Sequence, residues 1–212
     1  MVEPLLHMGQ FDKNITEFID YQYFGNNEFY STLIRNKNIN FSPELPYQKA
    51  HHPNRMWLYG ANGLMSLSIP LLGGRNQKGI FKDVQIAEDR NWRRIHWRSI
   101  HDAYRKSPWF EELGWQVEAI YKRPEKFLLD WNLKTMQLAV KLLGFKMDIL
   151  TQSDFIPDQQ QALSISSNPV IKPAEGFKVY QQVFMERHGF IGNLSILDLL
   201  FCCGATSKDY LS

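Results

Sequence analysis

Three stretches of the chain bring together residue types that can do chemistry. The first is Tyr47-Gln48-Lys49-Ala50-His51-His52-Pro53-Asn54-Arg55. It sets imidazole, amide and guanidinium side by side at what reads as the mouth of a strand. Adjacent strand residues point to opposite faces, so His51 and His52 cannot chelate one metal. Asn54 and Arg55 are the ligand-binding candidates here. The competing reading is a polar loop whose Asn and Arg tie down nearby backbone. The second stretch, Asn91 to Arg105, contains Trp92-Arg93-Arg94-Ile95-His96-Trp97-Arg98. On a helix, Arg90, Arg94, Trp97, Arg98, His101 and Arg105 form a broad basic stripe, and arginine grips phosphate or carboxylate bidentately. His96 lies four residues from both Trp92 and Ile100, at the edge of the apolar face. Partial burial among cations disfavours the imidazolium, so His96 reads as a neutral general base. The bland alternative is a satisfied core histidine under a solvated basic face.

The third stretch is Arg187-His188-Gly189-Phe190-Ile191-Gly192-Asn193-Leu194-Ser195, leading into Ile196-Leu197-Asp198-Leu199-Leu200-Phe201. A glycine loop that opens a helix turns backbone N–H groups toward an anion. His188 is a second candidate base, and Asn193 or Ser195 can cap the helix. Asp198 is a carboxylate on an otherwise apolar helix, and such a group needs a partner. The basic helix offers Arg94 or Arg98. On this expectation Asp198 orients the arginine and the arginine holds the ligand's anion. Helix capping plus one internal ion pair, or an exposed Asp198, is the plainer reading. Asn62 in a hairpin turn and Tyr104 on the basic helix complete the ligand-binding set. A chain this short has little room for three sites, so Asn54, Arg55, His96, Arg98, His188 and Asn193 are expected to converge.

The elements that must position these groups follow from spacing. Glu28 to Arg35 has helical periodicity, and Asn38 to Phe41 reads as a short strand. Arg55–Gly60 and Leu64–Pro70 flank an Asn62-Gly63 turn, the strongest short hairpin signal. Leu71 to Gly79 reads as a loop and Asp83–Ile86 as a strand. Glu88 or Asp89 should cap a helix that runs to about Arg105, with Trp92, Ile95, Ser99, Ile100 and Ala103 facing inward. A short helix follows at Trp109–Leu113. The next helix starts at Pro124 and ends before Gly144. It buries Phe127, Leu128, Trp131, Thr135, Met136, Ala139, Leu142 and Leu143. Lys146–Leu150 reads as a strand, 152–176 as a loop, and Val179–Met185 as a strand or short helix. Ser195 opens a last helix that Gly204 closes. Alternating segments of this kind imply a single α/β or α+β domain, a small sheet with an Asn-Gly hairpin packed against several helices.

Composition narrows the function classes. The chain has 212 residues, 44% hydrophobic and 22% charged, so it is globular rather than disordered or fibrous. Twenty-four Lys and Arg against 22 Asp and Glu leave a net charge of +2, too little for a whole-protein nucleic-acid footprint. Nucleic acid is therefore not an expected partner. The only cysteines, Cys202 and Cys203, are adjacent, which excludes a disulfide framework and a Cys-rich zinc site. They read as small buried hydrophobes. His96 and His101 stand five apart on a helix, the wrong spacing for one face, so no metal is expected. The fingerprints GxGxxG, GxxxxGK[ST], HExxH and GxSxG are absent, and no cofactor is expected. The N-terminus has no basic-then-apolar leader pattern, and the longest apolar run, Leu194 to Cys203, is too short to span a bilayer. A cytoplasmic protein with no membrane insertion is the expectation.

Four quoted patterns carry a resemblance. They are Asn54-Arg55 with Gly60-Ala61-Asn62-Gly63 and Leu67-Ser68-Ile69-Pro70, then Trp92 to Ile100 with Ala103-Tyr104 and Ser107-Pro108, then Leu129-Asp130-Trp131-Asn132 with Leu142-Leu143-Gly144, and finally Arg187 to Phe190 with Asn193 to Phe201 and Gly204. Together they resemble the WbqC-like family of bacterial proteins, over residues 24–212. Residues 1–23 diverge from the family's apolar opening strand, and only Tyr23-Phe24 matches its Tyr-Phe pair, so that strand is expected to be degraded or absent. The resemblance implies a transferase of O-antigen-type polysaccharide biosynthesis, moving an acyl or aminoacyl group to an amino sugar. Its substrate would be a small molecule, a nucleotide sugar or an activated acyl donor. The alternative is a non-catalytic domain that binds an anionic glycan or a partner protein through a basic and aromatic surface. The family supplies no agreed catalytic residues.

Overall fold

The computed structural model of the chain describes residues 17–35, 39–41, 43–74, 77–88, 91–147, 162–163 and 177–211. Strand β1 is Glu17–Ile19, helix α1 is Asn27–Arg35 and strand β2 is Ile39–Asn40. Strands β3 (Arg55–Gly60) and β4 (Gly63–Ser68) form an antiparallel hairpin registered from Arg55 opposite Ser68 to Gly60 opposite Gly63. Helices α2 (Trp92–Tyr104), α3 (Phe110–Tyr121) and α4 (Leu128–Leu142) follow. Strand β5 is Ala162–Leu163, α5 is Met185–His188 and α6 is Ile196–Cys203. Strands β2, β1 and β5 make a small parallel sheet with β1 in the middle. The architecture is thus α/β, as the alternating pattern predicts. A first strand is present at 17–19 but is only three residues long, so of the two expectations for the divergent opening, degraded or absent, it is shortened rather than absent.

α6 has the most buried environment. Every residue from Ile191 to Phe201 is buried, polar side chains included. Helix α3 touches α2, α4 and α6, and α6 in turn touches α1, α4 and β3. Aromatic rings fill the space between them. Trp131 of α4 meets Trp92 at 4.8 Å and Tyr121 at 5.4 Å, both edge to face. Such pairs add about 0.5–1.5 kcal/mol each beyond their area.

Several boundaries differ from expectation, each for a local reason. The hairpin turn is Ala61-Asn62, one residue earlier than Asn62-Gly63, and Gly63 follows it with a φ of +94°. The pairing shifts with it, so that Tyr59 rather than Ala61 stands opposite Leu64. α2 starts after Asn91 rather than Glu88 or Asp89, and Asn91 makes no side-chain cap bond. Its buried face is Trp92, His96, Ile100 and Tyr104, while Ile95 is 54% exposed. A strict four-residue spacing therefore wins over the broader apolar stripe. α3 extends through Tyr121 instead of stopping near Leu113.

α4 starts at Leu128, not at Pro124, because Phe127 is extended and bridges Gln85. Phe127 and Leu142 lie only partly buried, and Asn132 and Val140 join the buried stripe. The expected strand at Asp83–Ile86 is a 3-10 turn at Phe81–Asp83 followed by isolated bridges from Gln85 and Ile86. Val179–Met185 is irregular until α5 begins at Met185. Of Lys146–Leu150, residues 146–147 form no strand and 148–150 lie outside the described residues. The 152–176 loop also lies outside them, apart from β5. α6 matches expectation, with Ser195 accepting from the Leu197 N–H and Gly204 ending the helix at a φ of +55°. The two cysteines are partly buried against the core, where burial raises the Cys203 thiol to about 11.

Candidate active site

Among the described residues no cation pairs with the buried carboxylate of Asp198. Its Oδ1 accepts from the Tyr104 hydroxyl at 2.7 Å. Its Oδ2 accepts from the Tyr180 hydroxyl at 2.6 Å and from Gln182 Nε2 at 2.8 Å. Burial raises its pKa, and the three hydrogen bonds oppose that rise. The expected partner, Arg94 or Arg98, is not there. Helix α2 does supply a partner, but it is Tyr104, from the buried face. Arg98 lies on the opposite side, 77% exposed, 3.6 Å from Asp102. The Tyr104 hydroxyl also accepts from the Tyr59 N–H at 3.0 Å, so this cluster joins α6, α2, β3 and the segment before α5.

His96 is 4% exposed and its Nδ1 is 3.0 Å from the Tyr23 hydroxyl. Tyr23 in turn contacts the Tyr121 hydroxyl, making a buried His96–Tyr23–Tyr121 chain. Burial lowers the His96 pKa to about 4, against the pull of a hydrogen bond with the Ser68 main chain. The imidazole is neutral, as its surroundings predict, but it is enclosed in the core. A base must reach the proton it takes, so the general-base role is corrected to a packing and hydrogen-bonding one. His188 is exposed at the end of α5, and its Nε2 lies 3.0 Å from the Ala61 carbonyl. Arg187 donates to the same oxygen at 3.1 Å, so the pair clamps the hairpin turn that holds exposed Asn62.

Asn193, at a φ of +55°, accepts from the Glu28 N–H at 3.0 Å and donates to the Glu28 carboxylate at 3.2 Å, closing the start of α1. Asn54 donates to the Ile69 carbonyl at 2.8 Å. Arg55 donates to Ser68 Oγ at 2.9 Å and lies over the Trp57 ring. Arg55 is at the open end of the hairpin and the His188 contact at its closed end, roughly 20 Å apart for six extended residues. The six residues therefore do not share one cleft.

Two groupings were not singled out from the sequence. His51 is bound through Nδ1 by the Asp20 carboxylate, and that hydrogen bond raises its pKa. Asn132, fully buried on α4, fixes this loop by donating to the Pro53 carbonyl at 2.9 Å and to that of Tyr21 at 3.3 Å. The other grouping is a cavity of about 400 Å³ between α2 and α3, lined by Glu88, Asn91, Arg93, Arg94, Trp97, Glu118, Tyr121 and Lys122. Arg93 pairs with Glu88, and Lys122 with Glu118 at 3.1 Å. Arg94 has no ion pair among the described residues. Of the expected site residues, Arg94 alone lines this cavity. The i,i+4 spacing of Glu118 and Lys122 was a readable surface signal, but nothing in the sequence set it opposite Arg94.

The fold and this cavity define an α/β domain with a small hairpin sheet, an aromatic interior and a polar cleft of mixed charge. A family model described as the WbqC-like protein family matches residues 22–175. The match spans well over half of the chain, which therefore belongs to the WbqC-like protein family. It stops short of Arg187–Phe201, although that stretch carries the Asp198 cluster. No curated protein and no solved structure matches the chain. No helix among the described residues is long and apolar enough to cross a membrane.

Proposed function

We propose that the chain is a transferase of bacterial polysaccharide assembly that moves an acyl or aminoacyl group onto an amino sugar within the α2–α3 cavity. One observation carries this reading: a single cavity presents Arg94, which has no ion pair among the described residues, together with two carboxylates, Glu88 and Glu118. An activated donor brings negative charge and an amino sugar brings an ammonium, so a site for both needs both signs. Arg94 binds the donor's anion. Glu118 or Glu88 holds the ammonium and takes its proton. The freed amine nitrogen then forms a bond to the acyl carbon, and the leaving group departs with the electron pair of the broken bond. Holding both reactants in one cleft supplies much of the acceleration such a step needs. The reading has the chain working in the cytoplasm, where activated donors are made.

The absence of an imidazole among the lining residues favours a second reading. In it the same cavity grips an anionic glycan without catalysis. Incubation with a panel of amino sugars and acyl or aminoacyl donors, followed by mass spectrometry for the amide, separates the two. Transfer is expected from the wild type, and Arg94→Gln and Glu118→Gln are expected to lower it at least about tenfold each, or 1.4 kcal/mol of transition-state stabilisation. Amide formation untouched by either variant, or no amide with any pair, rejects the transferase reading.

A further inference from the structure

We infer that the α2–α3 cavity is a nucleoside 5′-diphosphate site, with the phosphates on Arg94 and the base on Trp97. This deepens the reading above and rests on the cavity being the site of group transfer. Arg93, Arg94 and Trp97 are successive cavity-lining residues of one helix. Residues three apart on a helix are neighbours on one face, and the step from Arg94 to Trp97 rises about 4.5 Å along the axis. That span is what a ribose bridges between a base and its first phosphate.

The cationic end is assembled from two elements. Arg94 is uncommitted among the described residues, and Lys122 approaches from α3, its charge already shared with Glu118. The first turn of α2 also opens at this rim, beside Asn91, with no side-chain cap. Its orientation adds to the field that the arginine sets.

The aromatic end is rigid. The Trp97 ring stacks on Phe110 at 6.0 Å with planes 16° apart, and the Tyr121 ring lies 6.4 Å away. Tyr121 is itself held by the buried chain through Tyr23 to His96. A ring fixed in plane is a stacking platform that every base can use. The volume of about 400 Å³ sits at the small end of ligand sites, enough for a compact ligand head with the transferred group directed to the open side. Two sources carry this chemistry: a nucleotide-linked amino sugar, which would be the acceptor of the group, and the thioester donor coenzyme A, whose head is a nucleoside diphosphate.

Calorimetric titration of the full chain with UDP, ADP, coenzyme A and inorganic pyrophosphate tests the inference. At least one nucleotide should bind about tenfold more tightly than pyrophosphate. Arg94→Gln should weaken every ligand by about tenfold or more. Trp97→Leu should bring the nucleotides down to the level of pyrophosphate and leave pyrophosphate unchanged. Trp97→Phe, which keeps the Phe110 stack, should retain most nucleotide binding and guards against a folding defect. A preference for UDP assigns the sugar source, and one for ADP and coenzyme A the thioester source. Pyrophosphate binding as tightly as every nucleotide, or unaltered affinity in Arg94→Gln, overturns the inference. Should amide formation still depend on Arg94 and Glu118 in that case, the transfer reading stands with a donor of other chemistry. Nucleotide binding without amide formation would do the reverse.

Discussion

Asp198 sits in the first turn of α6, and among the described residues its carboxylate is met by neutral donors, two phenols and an amide. Removing its carboxylate takes the acceptor from two buried phenols, each costing about 1–3 kcal/mol, while Gln182 Nε2 keeps its bond to the Ile191 carbonyl at 2.9 Å. Asp198→Ala should therefore lose at least about 2 kcal/mol. Asp198→Asn, which keeps an acceptor oxygen, should lose clearly less. Urea midpoints read both, and equal losses would show that the side chain's volume matters rather than its hydrogen bonds. The sequence does show that Asp198 needs a partner, because five apolar residues surround it. The partner's identity was hidden. Tyr180 and Gln182 come from a segment with no periodicity, and Tyr104 lay at the end of a helix whose arginines drew the eye. His96 was half legible in the same way: its neutrality follows from the residues flanking it, and its enclosure follows only from Tyr23, 73 positions away.

Elements are held in place by where they stop as much as by what they bury. Gly204 ends α6 at a φ of +55°, and a Cβ there would fall 2.1 Å from Trp109 Cδ2, at the start of α3. Gly144 ends the α4 region at a φ of +69°, with nothing within 4 Å of such a Cβ. Gly144→Ala should cost only the left-handed penalty, about 1–2 kcal/mol. Gly204→Ala should cost that plus overpacking, about 3 kcal/mol or more in total, because the ring cannot move without shifting α3. Urea unfolding of the two variants makes the comparison, and equal losses would mean that Trp109 yields freely. Both stop signals are plain in the sequence. The starts were harder to read. Pro124 looks like a first helical residue, yet Phe127 is taken by a bridge to Gln85 that no local pattern announces.

At the scale of the molecule, the glycine-bearing 189–195 loop closes the fold. Ser195 donates its N–H to Trp57 in the hairpin and its hydroxyl to the Phe24 carbonyl, while Asn193 fastens α1. The sequence placed a loop and cap there, but read the polar residues as facing a ligand; long-range closure of this kind has no local signature. The wealth of aromatic residues was equally plain as a number, and its use was not. Tyr23, Tyr30, Tyr104, Tyr121 and Tyr180 are buried, and burial is the first cause raising the pKa of each above 10. The unfolded chain ionises these phenols near pH 10, so the stability tied to keeping them neutral is complete below that pH. It is then lost as pH rises toward their higher folded values. One unit above the unfolded pKa, each group favours the open chain by about 1.4 kcal/mol, and five together by about 7, which rivals the whole stability of a typical domain. The protein should therefore resist alkali up to about pH 10 and then unfold over a narrow range. In optical terms the phenols become a built-in indicator. Phenolate absorbance should rise in one steep step that coincides with the change in tryptophan emission, the two signals reporting a single event. A gradual rise that precedes the emission change would mean that alkali reaches these rings while the fold is still closed.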